Sequence, residues 1–214
     1  MIVSATLGVL ISGRGSNLQA IAHAIEAGQL AASIGVVISN RPDAAGLAFA
    51  AGRGIATVVL PHQDFGSRSA YDEALVRELR SRGVTFVCLA GFMRLLGPGF
   101  CAAFQDSVLN IHPSLLPAFP GPHAQRQALQ HGVRVAGATV HFVTPELDAG
   151  PIVVQAAVPV EDDDTEESLS ARILETEHRL YPKAIAMIVA GGWRIEGHRV
   201  VFDVGVTRPR PGQV

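Results

Sequence analysis

The sequence predicts an α/β fold, with a mostly parallel sheet under helices in the first half, then an antiparallel extension and one long helix. Three observations predict it. Short apolar runs alternate with helix-length amphipathic stretches, the apolar runs are continuous, and the texture of the chain changes after Asn110. Strands buried on both faces read as unbroken apolar runs, the signature of a parallel sheet covered on either side.

The apolar runs are Thr6 to Ile11, Ile34 to Ser39, Ile55 to Leu60, Val84 to Leu89 and Ser107 to Asn110. Helices are expected between them, near Ser16 to Ala27, Ala44 to Arg53, Ser69 to Arg82 and Pro98 to Phe104. In the third helix Tyr71, Leu75 and Leu79 recur at steps of four and share one face. Ile111 to Pro122 carries four prolines and a glycine, which marks a rigid, non-repetitive loop. A short helix at Ala124 to Gln130 leads to two longer strands, Gly137 to Val143 and Pro151 to Val160, joined by a turn at Pro145 to Gly150. Six carboxylates crowd Glu161 to Glu167. There Asp164, with Glu167 three residues on, is the expected N-cap of a helix running to about Ala190. Gly191 and Gly192 end that helix, and Trp193 to Ile195 with Arg199 to Phe202 suggest a closing hairpin. A single domain over residues 1–206 is expected, with residues 207–214 a flexible tail.

Composition narrows the class. With 48% hydrophobic and 17% charged residues the chain is globular, and 214 residues can bury a core without staples. A net charge of -2 offers no broad basic field for a nucleic acid. Two cysteines, Cys88 and Cys101, form no paired spacing, which fits a reducing compartment such as the cytoplasm. The N-terminus is apolar for about ten residues and lacks a basic region, so it reads as a first strand and not as a signal peptide or membrane span.

Gly13-Arg14-Gly15-Ser16-Asn17 stands between the first strand and first helix. Free N–H groups and the helix dipole favour an anion there, and glycines let it approach the backbone. A dinucleotide fingerprint would need a third glycine near Leu18 and an acid at the end of the second strand, which instead ends Ser39-Asn40. A Walker lysine is also missing. The loop reads as a monophosphate seat or, failing that, as a tight turn that binds nothing.

Asn110 and His112 stand two apart at the end of the fifth apolar run, so an extended chain points them to one side. An amide and an imidazole aimed at one point can hold a developing oxyanion. Asp148, in the turn Thr144-Pro145-Glu146-Leu147-Asp148-Ala149-Gly150, would favour the imidazolium if it folds back to His112. Each residue also has a plain reading, as a loop histidine, a turn asparagine and a turn aspartate. No nucleophile motif occurs. His112, His123, His131 and His141 are irregularly spaced, which speaks against a metal, and His141 reads as a satisfied strand residue.

Together, Gly13-Arg14-Gly15-Ser16-Asn17-Leu18, Ala90 to Leu96, Asn110 to Pro117 and His141 to Pro151 resemble phosphoribosylglycinamide formyltransferase, in order, from about Leu7 to Tyr181. The resemblance implies a doubly wound sheet with a Rossmann-like, phosphate-binding half (about 1–105) and a half that completes a folate cleft (about 106–206). It implies formyl transfer from 10-formyltetrahydrofolate to the amine of glycinamide ribonucleotide, in purine biosynthesis, without metal or covalent intermediate. Gly15, Ser16, Asn17 and Glu177 would hold the ribonucleotide. Arg68, Met93, Arg94, Leu95, Leu96, Asn110 and the loop Thr144, Pro145, Glu146, Leu147 and Asp148 would surround the folate. Asn110, His112 and Asp148 match the catalytic trio, with protonated His112 as a donor. Pro122, Ala124 and Leu174 depart from the commoner family residues. Leu116-Pro117 is expected to be cis.

Three rivals share much of this pattern. A 10-formyltetrahydrofolate hydrolase usually carries an added N-terminal domain, whereas this chain begins at its first strand. A methionyl-tRNA formyltransferase normally adds a C-terminal tRNA domain. A silent folate or nucleotide-binding module would be expected to lose one of the trio. Small-molecule partners are expected, with no nucleic acid and no membrane, and the oligomeric state is left open, a homodimer included.

Overall fold

The structure, a computed structural model, describes residues 5–203, so the expected tail at 207–214 lies outside the described residues. Two compact units meet in sequence at Asn110 and Ile111.

In the first unit, β1 (Ala5–Ile11), β2 (Ala32–Ser39), β3 (Thr57–Val59), β4 (Phe86–Leu89) and β5 (Val108–His112, which runs on into the second unit) are ordered β3-β2-β1-β4-β5. Every pairing among them is parallel. Strand order reverses on either side of β1, which makes its C-terminal end the switch point where open α/β sheets take ligands. The core is aliphatic, and Leu7, Val9, Leu10, Ile11, Val37 and Ile38 are wholly buried. The helices are α1 (Ser16–Glu26), α2 (Ala45–Ala51), α3 (Arg68–Ser81) and α4 (Pro98–Ala103), with α1 packed on α2 and α3 on α4. Tyr71, Leu75 and Leu79 do form the buried face of α3. Ser67 caps that helix by accepting the Ala70 N–H at 3.1 Å. The third strand is shorter than its apolar run, because β3 pairs only with β2 and leaves Thr57 and Val59 exposed.

In the second unit, α5 (Ala124–Gln130) precedes β6 (Val135–Phe142) and β7 (Ile152–Pro159), an antiparallel pair. Helix α6 (Glu166–Val189) packs on both strands through Leu169, Ile173, Leu180, Ala184 and Ile188. Strands β8 (Trp193–Glu196) and β9 (Arg199–Phe202) form the expected hairpin. The N-cap of α6 is Thr165, not Asp164, and its box partner is Ser168, not Glu167. Asp164 is drawn away by stronger donors. Its carboxylate takes both terminal nitrogens of Arg172 (2.6 and 2.9 Å), the Ser168 hydroxyl (2.7 Å) and the Glu161 N–H (2.8 Å). The Thr165 hydroxyl is then left to accept the Ser168 N–H at 3.2 Å.

Candidate active site

The glycine loop of the first unit is built as a tight entry to α1. Gly15 takes φ 73° as the N-cap residue. A β-carbon there would stand 2.9 Å from the Gly46 Cα, so the position requires glycine on two counts. Gly46 in turn donates its N–H to the Gly13 carbonyl at 3.1 Å. Ser16 is half-buried and Asn17 is buried in the first turn. Beside the loop, the Ser12 hydroxyl donates to Asn40 Oδ1 (2.6 Å) and accepts the Met93 N–H (2.9 Å). This link joins the ends of β1 and β2 to the segment after β4, and no sequence pattern announced it.

That segment exposes Met93, Arg94 and Leu95 while burying Leu96. Arg68 is exposed at the first turn of α3 and leans over Gly97. Two cavities open in this unit. One, of about 450 Å³, lies between Ser12, Asn40, His62, Met93 and Arg94. The other, of about 410 Å³, lies between Arg68, Asp72, Val76 and Phe100. Asp72 is buried, accepts the Gly97 N–H at 2.7 Å, and is pushed above the ordinary carboxyl value by burial.

In the second unit, His112 ends β5 and Asp148 stands in the turn between β6 and β7. His112 Nδ1 and Asp148 Oδ2 lie 3.4 Å apart, with side chains only 7% and 10% exposed. Asp148 takes φ 49°, the left-handed region, and its Oδ2 also accepts the Gly121 N–H at 2.8 Å. On the other oxygen, His141 Nε2 of β6 stands 3.6 Å from Oδ1. Burial alone would raise the Asp148 carboxyl. The His141 ring, the Gly121 N–H and the field of both imidazoles outweigh it, and the group lies below the ordinary value.

His112 is drawn toward the neutral form at rest. Burial lowers its pKa and prevails over the Phe119 carbonyl and Asp148, both of which favour the charged ring. The resting imidazole is therefore the neutral form at neutral pH. Its Nε2 donates to the Phe119 carbonyl at 2.9 Å, which a carbonyl can only accept. The loop bearing Phe119 is held by polar bonds. Thr139 donates to the Ser114 carbonyl at 2.6 Å and accepts the Leu116 N–H at 3.0 Å. Gln155 Nε2 donates to the Leu116 carbonyl at 2.8 Å. The Leu116-Pro117 bond is cis, as expected.

Of the remaining expected residues, Asn110 is half-buried on β5, two positions before His112. Thr144 is half-buried, Pro145, Glu146 and Leu147 are exposed, and Glu177 is buried on α6. His141 was read as a strand residue and is found against Asp148. The available signal was an imidazole in the otherwise buried run Ala136 to Phe142. Among the described residues no group of three or more His, Cys, Asp or Glu side chains could hold a metal ion. Among them, too, no helix is long and apolar enough to cross a membrane.

A parallel sheet whose switch point lies at a glycine loop is the framework of an α/β ligand-binding protein. The chain matches the formyl transferase family over residues 6–185 and belongs to it. It is 48% identical over 195 residues to phosphoribosylglycinamide formyltransferase of Escherichia coli (strain K12), covering 91% of this chain and 92% of that one. It is 49% identical over 187 residues to the trifunctional purine biosynthetic protein adenosine-3 of Drosophila melanogaster, covering 86% of this chain but spanning only 14% of that protein. Glycinamide ribonucleotide transformylase 1 of Symbiobacterium toebii superposes with a TM-score of 0.92 at 52% identity, covering 93% and 94% of the two chains. A formyltetrahydrofolate deformylase of Pseudomonas syringae also superposes, with a TM-score of 0.86 at 26% identity, covering 94% of this chain and 66% of that one. The fold therefore does not by itself choose between transfer and hydrolysis.

Proposed function

We propose that this protein transfers the formyl group of 10-formyltetrahydrofolate to the amine of glycinamide ribonucleotide, a step of purine biosynthesis, in the cytoplasm. The observation that carries the reading is the His112–Asp148 pair, 3.4 Å apart and nearly closed to water. It supplies a proton donor and a fixed counter-charge, and Asn110 supplies an amide two residues away. The higher identity to ribonucleotide formyltransferases than to the deformylase favours an amine over water as acceptor. Both cysteines are buried thiols, which accords with a reducing compartment.

The chemistry needs no covalent enzyme intermediate. The neutral amine nitrogen attacks the formyl carbon, a new C–N bond forms, and the carbonyl pair moves to oxygen. Asn110 and His112 donate hydrogen bonds to that oxygen. The growing negative charge offsets the burial that keeps His112 neutral at rest, so the ring takes up the proton that the attacking amine loses, relayed through Asp148, and holds it while the oxyanion exists. The pair then returns from oxygen, the C–N10 bond breaks, and the proton lost by the amine reaches N10 by way of Asp148. For His112 to donate through Nε2, its bond to the Phe119 carbonyl must open. Gly15, Ser16, Asn17 and Glu177 bind the ribonucleotide. Arg68, Met93 to Leu96 and Thr144 to Leu147 contact the folate. One catalytic domain comprising both units is part of this reading.

Formyl-labelled folate tests the assignment. The label should appear in formylglycinamide ribonucleotide by mass spectrometry. Label appearing as formate, at the same rate without ribonucleotide, would mean a hydrolase.

A further inference from the structure

Thr139 of β6 and Gln155 of β7 stand directly opposite one another in the antiparallel pair, so their side chains share one face of the sheet. The loop between β5 and α5 lies close against that face. A β-carbon at Gly137, two residues before Thr139, would stand 2.7 Å from the Leu115 side chain. Thr139 is wholly buried and Gln155 half-buried. The Thr139 hydroxyl donates to the Ser114 carbonyl at 2.6 Å and accepts the Leu116 N–H at 3.0 Å. Gln155 Nε2 donates to the Leu116 carbonyl at 2.8 Å and to Thr139 Oγ1 at 3.0 Å. One cross-strand pair thus takes both backbone groups of Leu116, and the hydroxyl has its single donor and both acceptor sites in use. From this anchor the chain runs to the histidine–aspartate pair. Ser114 Oγ donates to the Ala118 carbonyl at 2.6 Å, the Phe119 carbonyl accepts from His112 Nε2 at 2.9 Å, and the Gly121 N–H donates to Asp148 Oδ2 at 2.8 Å. Phe119 takes φ 54°. A phenylalanine holds the left-handed region only where its surroundings impose it.

We infer that Gln155 is a positioning residue for the formyl transfer: with Thr139 it brackets Leu116, and so fixes where the loop delivers the Phe119 carbonyl to His112 and the Gly121 N–H to Asp148. The inference rests on the formyl-transfer reading for its functional meaning, while its geometry lies wholly within the second unit. Gln155 touches neither member of the pair. It acts through the backbone, because a shift of Leu116 moves the carbonyl and the N–H that the pair uses, and a site held by a loop is only as well placed as the loop's anchor.

Two variants separate this role from plain packing. Q155M keeps the length of the side chain and loses the donor. Q155E keeps its outline and turns a carboxylate oxygen toward the Leu116 carbonyl. The primary readout is amide hydrogen exchange by NMR on the full chain, which does not depend on turnover. Exchange at the Leu116 and Gly121 amides should rise about tenfold in both variants, with two hydrogen bonds lost. Exchange at Val9 in β1 and Leu180 in α6, both wholly buried, should stay within about twofold of the parent. In steady-state transfer kcat should fall about tenfold, with KM for the ribonucleotide within about twofold, since the glycine loop lies in the other unit. If one variant fails to fold, the other still gives the comparison. Unchanged exchange at Gly121 overturns the inference. So does a rise of the same size at Val9 and Leu180, the mark of a general loss of stability, and so does a local rise with kcat unchanged. A parent protein that transfers no formyl group would sink the functional reading, and the exchange pattern would still decide whether Gln155 places the loop.

Discussion

Asp148→Asn is the perturbation whose size follows most directly from the geometry. Asparagine keeps the shape, and by turning its amide it can still offer an oxygen to the Gly121 N–H that Asp148 accepts at 2.8 Å. What it loses is the charge. A unit negative charge 3.4 Å from the His112 ring, at an effective dielectric of about 20, favours the imidazolium by about 5 kcal/mol. The amide dipole recovers part of that, so the net loss should be about 3 to 5 kcal/mol, or roughly 10²- to 10⁴-fold in kcat. Screening reduces the figure little, because neither side chain is more than 10% exposed. KM for both substrates should change far less, since the charge matters most when the oxyanion forms. The assay is steady-state formyl transfer with circular dichroism to check folding. A folded variant with kcat within about threefold of the parent would refute the claim that Asp148 supports a charged His112 in the transition state.

Three further outcomes follow from the same geometry. Asn110→Ala removes one oxyanion donor and should cost on the order of 100- to 1000-fold in kcat, read in the same assay. Gly15→Ala forces a side chain into the left-handed region against Gly46, 2.9 Å away. It should lower stability by about 1 to 3 kcal/mol, seen as a drop of several degrees in Tm, and raise KM for the ribonucleotide. Acid should destabilise the protein through His112 before Asp148 contributes. The folded-state pKa of His112 lies below the ordinary histidine value of 6.5, so as pH falls below 6.5 the unfolded chain binds protons first and stability drops. Asp148, also lowered, loses its contribution only as pH falls below 3.8 toward its folded value. Urea midpoints at pH 7 and pH 5 should therefore differ less in His112→Gln than in the parent, and equal differences would contradict the assignment.

How much of this was legible in the sequence depended on the length scale of the cause. Parallel strands announced themselves because a strand buried on both faces has no polar alternation, as in Leu7 to Ile11. Helix α3 was legible for the matching reason, its apolar residues returning every four positions. Element ends were less so. Asp164 is as good a cap as Thr165 by residue type. The choice fell to Arg172, eight residues away, whose guanidinium holds the carboxylate. At the site, Asn110 and His112 were legible as neighbours because a strand fixes their spacing. The place of Asp148 could be stated from its residue type only as a condition, that its turn fold back, since 35 intervening residues must fold to bring it within 3.4 Å of His112. The Phe119 carbonyl and the Gly121 N–H left no readable mark, because backbone groups carry no residue signature, and the mark His141 did leave, an imidazole in a strand run, usually reads as structural. The neutral resting state of His112 was hidden for a related reason. Burial sets it, and burial is a property of the assembled fold.

The measurement that bears most directly on the account is release of tetrahydrofolate from 10-formyltetrahydrofolate, followed by absorbance with and without glycinamide ribonucleotide. The account predicts release that requires the ribonucleotide and saturates with it. Release at the same rate in its absence, or none in either case from folded protein that binds folate, would contradict it.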